Sequence, residues 1–134
     1  MKRILKISAL TLAMLMMTLA LVSCFGPAAD PAKAEAALKE NGYAVTMKDG
    51  KLVEAVAMLL GIDDLDAQIT AISKEDMDDF ITIYYFETTE AADKAWDKIK
   101  EEAEEKNNED TEVVIKKSGK VIYFGTRNAV KAAR

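Results

Sequence analysis

Histidine is absent from the 134 residues, and cysteine occurs once, at Cys24. These two gaps remove most of the side-chain chemistry that operates near neutral pH. Ser-His-Asp and Cys-His arrangements need an imidazole base, and zinc sites of the common type need His or Cys ligands. Carboxylates, lysines and tyrosines are left. Ser73-Lys74 and Ser118-Gly119-Lys120 lack the Ser-x-x-Lys spacing of a serine-lysine acylase, and no glycine-rich loop of the P-loop or dinucleotide type occurs. A hydrolase built on a carboxylate pair stays open, because spacing alone does not identify two acids held in a cleft, although a chain of this size leaves little room for one. One thiol also excludes an internal disulfide.

What is present begins with an address. Met1-Lys2-Arg3-Ile4-Leu5-Lys6 carries three positive charges and no acid, and the run from Ile7 to Val22 is interrupted only by Ser8, Thr11 and Thr18. That is the charged start and apolar middle of an export signal. A spanning helix takes roughly 20 predominantly apolar residues, and this run is shorter before it meets Ser23 and Cys24. Leu21-Val22-Ser23-Cys24 closely resembles the lipobox of bacterial lipoproteins, with an aliphatic residue three before the cysteine and a small residue just before it. The resemblance covers residues 1–24. It implies that a signal peptidase recognises Leu21, Val22 and Ser23, that residues 1–23 are removed, and that Cys24 becomes an N-terminal cysteine carrying a covalent diacylglycerol. No other cofactor is expected. The implied location is the extracytoplasmic side of the cell membrane, or the outer membrane in a Gram-negative cell. The competing reading is an ordinary secretory signal followed by a chance cysteine. An exported chain with a single thiol needs a use for it, and lipidation supplies one. Each buried methylene contributes about 0.8 kcal/mol, so two acyl chains hold where one does not.

Cleavage changes the charge. The signal contains Lys2, Arg3 and Lys6 and no acid, so its loss leaves 15 basic against 23 acidic residues, a net charge of −8 in place of −5. Such a surface repels nucleic acid. The charge is uneven: residues 24–110 are net −13, and residues 111–134, with six basic side chains and one acid, are net +5. The ordinary explanation is a basic hairpin lying near an acidic helix. The sharper one is that Lys116, Lys117, Lys120, Arg127, Lys131 and Arg134 face anionic headgroups.

The remainder divides into a tether at residues 24–30 and one domain at 31–134. Phe25-Gly26-Pro27-Ala28-Ala29-Asp30 carries no apolar period and reaches only about 20 Å when stretched, so the domain is held near the bilayer. Asp30-Pro31 is a helix start, and Asn41-Gly42 a stop. Tyr43, Val45 and Met47 alternate as a strand, closed by a turn at Lys48-Asp49-Gly50-Lys51. Leu52, Val53, Val56, Leu59 and Leu60 have helical spacing with a stop at Gly61, although a hairpin across Asp49-Gly50 would use Leu52 to Met58 as a strand. Helix is the preferred reading. Strands follow at Gln68 to Lys74 and Phe80 to Phe86, then a helix capped by Thr88 or Thr89 and running to about Lys106, with Ala92, Ala95, Trp96, Ile99 and Ala103 inward. Val113 to Lys117 and Lys120 to Phe124 form a hairpin, and Gly125-Thr126 leads into a last helix. This order predicts an α+β fold: a two-layer sandwich with a mainly antiparallel sheet of about five strands, helices packed on it, and a ferredoxin-like crossover through the long helix.

Three clusters are candidates for function. Asp63-Asp64-Leu65-Asp66 and Glu75-Asp76-Met77-Asp78-Asp79 have oxygen ligands suited to calcium, but neither matches an EF-hand loop, and no metal is expected. Phe80, Tyr84 and Phe86 share one face of a strand that is apolar on both sides. They are either core or a partly bare patch that binds a protein, a glycan or a second copy. From Ile81-Thr82-Ile83-Tyr84-Tyr85-Phe86 through Trp96 to Tyr123-Phe124-Gly125-Thr126, the chain is similar to a group of small lipid-anchored proteins of Gram-positive bacteria. That resemblance implies fold and location and no activity. The expectation is an extracytoplasmic, membrane-anchored, non-catalytic domain that contacts a protein or small ligand, or belongs to an envelope complex.

Overall fold

A computed structural model describes residues 26–107 and 111–134; Leu21, Val22, Ser23 and Cys24 lie outside the described residues. Helix α1, Pro31–Glu40, starts where Asp30 accepts the Ala32 N–H at 3.0 Å and Pro31 takes the first turn, and it buries Ala34 and Leu38. Strand β1, Tyr43–Asp49, leads directly into α2, Gly50–Leu60. The expected turn is therefore absent. Gly50 adopts a positive φ of 54°, which reverses the chain in one residue and opens the helix. Gly61, at φ 66°, ends α2 in the left-handed conformation. The strand alternative for this stretch is excluded.

Strands β2, Leu65–Ser73, and β3, Phe80–Phe86, come next. Helix α3, Thr89–Lys106, is capped by Thr88, whose hydroxyl accepts the Ala91 N–H at 3.1 Å. Strands β4, Val114–Ser118, and β5, Val121–Gly125, form the terminal hairpin, and Thr126 caps α4, Arg127–Ala132. The sheet order is β1-β2-β3-β5-β4, with every neighbouring pair antiparallel. Helix α3 carries the chain over the sheet from β3 to β4 at the far edge, and β5 returns beside β3.

The α+β class and the five-stranded antiparallel sheet agree with the sequence, and the helices are shared between both faces. On one face Ile69, Ile81, Ile83, Tyr85 and Tyr123 pack with Ala34 and Leu38 of α1 and Ala129 and Ala133 at α4. On the other, Tyr84, Phe86, Ile122 and Phe124 pack with Val53 of α2 and with Ala92, Ala95, Ile99 and Ala103 of α3. A helical layer thus lies on each side. The reason is β3, where alternate residues leave both faces apolar, so neither can be left in water. Each such large side chain, fully buried, contributes about 1.5–3 kcal/mol. Trp96, expected inside, is half-buried at the rim of α3.

Candidate functional site

The aromatic face resolves into core and edge. Tyr84 and Phe86 are buried beneath α3, at 1% and 3% exposure. The interface reading therefore fails for these two: the alanine stripe of α3 lets the helix lie close over them. The Tyr84 hydroxyl donates to the Glu102 carboxylate at 2.9 Å. Burial, then the Glu102 charge, pushes its pKa well above the tyrosine range, so it remains a protonated donor. Phe80 alone reaches an opening. It stacks edge-on against Phe124 and lines a groove of about 320 Å³ with Thr70, Ile72, Met77, Thr82 and Lys106. This groove exists because α2 packs over the Leu65 end of β2 and leaves the Ile72 end bare.

The acidic turn before β3 is occupied with its own backbone. The Ser73 hydroxyl accepts the N–H groups of Glu75 and Asp76 at 3.2 and 3.3 Å, and Asp76 accepts the Asp78 N–H at 2.9 Å. Asp79 accepts the Tyr43 hydroxyl at 2.7 Å through one oxygen and the Thr126 hydroxyl through the other. Burial, then this hydrogen bond and the Asp79 charge, drives the Tyr43 pKa upward. In the other cluster Leu65 is buried and separates Asp66 from its neighbours, while the Asp64 carbonyl accepts the Glu87 N–H. Among the described residues no three Asp, Glu, His or Cys side chains converge on one metal position.

The six basic residues of the C-terminal quarter do not form a single patch. Lys117 faces α3 and pairs with Asp93, the arrangement expected of a basic hairpin beside an acidic helix. Arg127 pairs with Glu112 at 3.2 Å in the open. Arg127, Lys131 and Arg134 recur at i, i+4 and i+7, which places them on one flank of α4 and its end. The opposite flank meets α1, where the Asn41 amide donates to the Ala132 carbonyl. Lys116 stands opposite Tyr123 in the β4·β5 ladder, on the face that α4 covers.

Two features escaped the sequence. Residues expected as a free tether are fastened to the fold: the Ala28 N–H donates to the Ala133 carbonyl at 2.8 Å, and the Tyr85 hydroxyl donates to the Ala28 carbonyl, also at 2.8 Å. Gly26 lies so close to Tyr123 that an added Cβ would sit 3.2 Å from its ring. The second is the outer stripe of α2, where Leu52 and Leu59 are 64% and 87% exposed. The hydrophobic run that identified the helix gave no sign that only Val53 would be fully buried. Among the described residues no helix is long and apolar enough to cross a membrane. No protein-family model, curated protein or solved structure matches the chain.

Proposed function

We propose that the chain is an extracytoplasmic lipoprotein, anchored through a diacylglycerol on Cys24, whose folded part is a non-catalytic interaction domain. The observation that carries this reading is the docked strap. Gly26, two residues after Cys24 in the sequence, packs against the Tyr123 ring, so lipid at that cysteine would hold the domain close to the bilayer. The lipobox resemblance and the short apolar run before it point the same way. Two further points favour binding over catalysis. The chain has no histidine, and among the described residues the displaced titratable groups are tyrosines driven upward by burial, which suits structural donors and not proton acceptors. Intact mass spectrometry of the membrane-extracted protein tests the anchor. The expected product starts at a diacylated Cys24, and Cys24→Ser leaves uncleaved precursor. An unmodified Cys24, or a cytosolic chain retaining Met1, ends the reading.

Membership of a larger envelope complex is a second reading, favoured by the bare Leu52 and Leu59 stripe on α2. Cross-linking in intact membranes separates the two, because a stoichiometric protein neighbour at α2 is required by this one alone.

A further inference from the structure

We propose that the flank carrying Arg127, Lys131 and Arg134, together with Lys116 of β4, is the face this domain lays against anionic phospholipid headgroups. The inference rests on the lipid-anchor reading and adds an orientation and a lipid class to it. Its first support is where the chain emerges. Gly26 packs on the Tyr123 ring, and Tyr123 stands opposite Lys116 in the β4·β5 ladder. Ala28 is bonded to Ala133, next to Arg134. The Arg134 charge reaches the Tyr123 hydroxyl and pulls against the upward push of burial. The exit of the chain is therefore bracketed by Lys116 and Arg134.

Distance is the second support. Two residues from Cys24 to Gly26 span at most about 7 Å. The screening length at physiological salt is about 8 Å, so charges at the exit stay within reach of the headgroup potential. Lys117 is differently placed, since it points to the opposite face and is neutralised by Asp93. Acids border the proposed face: Asp76, Asp78 and Asp79 line a shallow pocket with Arg127, and Glu112 pairs with Arg127 at 3.2 Å with both side chains 73% exposed, an arrangement that leaves the arginine free to exchange partners. The strap residues Gly26 to Ala29 carry no side-chain charge.

Overall charge is the third. The residues from Cys24 to the end are net −8, so a freely tumbling domain is repelled by an anionic surface, and residues 111–134, net +5, are the part of it that such a surface attracts. The anchor supplies the proximity, and the charge asymmetry supplies the orientation.

Lysine footprinting tests this. Lipidated protein extracted from its membrane is reconstituted into vesicles of phosphatidylcholine, or of phosphatidylcholine with phosphatidylglycerol, and labelled with an amine-reactive ester. The mass spectrum of the same sample reports the state of Cys24. On anionic vesicles Lys116 and Lys131 are expected to label at least about threefold more slowly than on neutral ones, with the difference lost at high salt. Lys51 on α2 and Lys100 on α3, both exposed and remote from this flank, should label equally on the two. The exposed pair Lys116→Glu with Arg134→Glu should abolish the protection of Lys131 without altering the melting curve. A diacylated Cys24 with identical labelling on both vesicles, or with equal protection of Lys51 and Lys100, overturns the orientation alone. An unmodified Cys24 overturns the anchor and this inference with it.

Discussion

The Tyr85 hydroxyl donates to the carbonyl of Ala28 at 2.8 Å across 57 positions of sequence, and this bond ties the start of the described chain to the central strand. The same residue's N–H reaches Ala133, so Ala28 is held from both sides. Tyr85→Phe keeps the buried ring and removes one bond. The expected loss is about 0.5–1.5 kcal/mol in denaturant unfolding, since the Ala28 carbonyl is half-buried and recovers part of its solvation. Faster amide exchange at Ala28, with β3 unaffected, checks that the strap loosens and the sheet does not.

Alkaline stability follows from the same buried hydroxyls. Tyr84 and Tyr85 have pKa values raised by burial first, with Glu102 adding to the effect at Tyr84 and Asp30 at Tyr85. In the unfolded chain tyrosine ionises near about 10, whereas in the fold both stay protonated beyond that. The folded state then binds more protons than the unfolded state, so stability is full below about pH 10 and falls as pH rises, by up to about 1.4 kcal/mol per pH unit for each group. Unfolding free energies between pH 8 and 11, the window being set by the ordinary tyrosine value of about 10, should drop at the upper end. Tyr84→Phe with Tyr85→Phe should flatten that drop.

Much of this fold is legible because its signals are local. Asp30, Thr88 and Thr126 each precede a stretch with apolar residues at helical spacing, and each caps the helix expected of it. The alternation of Phe80 to Phe86 identifies a strand apolar on both sides, and such a strand is central. Other features depend on distant partners. Nothing near Pro27 says that Ala28 will find Ala133, and nothing in Tyr84-Tyr85 says that one hydroxyl meets Glu102 and the other the strap. The choice between core and bare patch for Phe80, Tyr84 and Phe86 stays open in the sequence for this reason: whether α3 covers them depends on the helix axis, which the spacing of Ala92, Ala95, Ile99 and Ala103 does not specify. Val113 to Phe124 reads as a hairpin, but its insertion with β5 inside and β4 outside follows from which strand matches the two buried faces.

Gly125 is the tightest point of that insertion. It stands opposite Ile81, and an added Cβ would lie 2.4 Å from the Phe80 carbonyl oxygen and 2.7 Å from the Ile81 Cα. Backbone cannot move aside as a flexible side chain does, so Gly125→Ala should destabilise by about 1–3 kcal/mol. Gly119, in the β4·β5 turn at φ 60°, has open space around it, and Gly119→Ala meets only left-handed strain of roughly 1–2 kcal/mol. The two can be told apart by melting and β5 amide exchange: Gly125→Ala should raise exchange along β3 and β5, Gly119→Ala at the turn alone.

Helix α2 separates residues that hold the fold from residues that face outward. Val53 is 2% exposed, and Val53→Ala leaves a cavity beside Ile62 and Leu65, for an expected loss of about 1–3 kcal/mol. Leu52 and Leu59 lie seven residues apart on the outer side and touch little. Leu52→Ser with Leu59→Ser should change stability by no more than about 0.5 kcal/mol per site, because no buried contact is lost. The same pair should lower binding of a hydrophobic dye by the purified domain and, where α2 seats on an envelope partner, remove the cross-link to it. A double variant that melts like the parent and keeps both signals would show that the stripe has no docking role and that its apolar residues are tolerated surface.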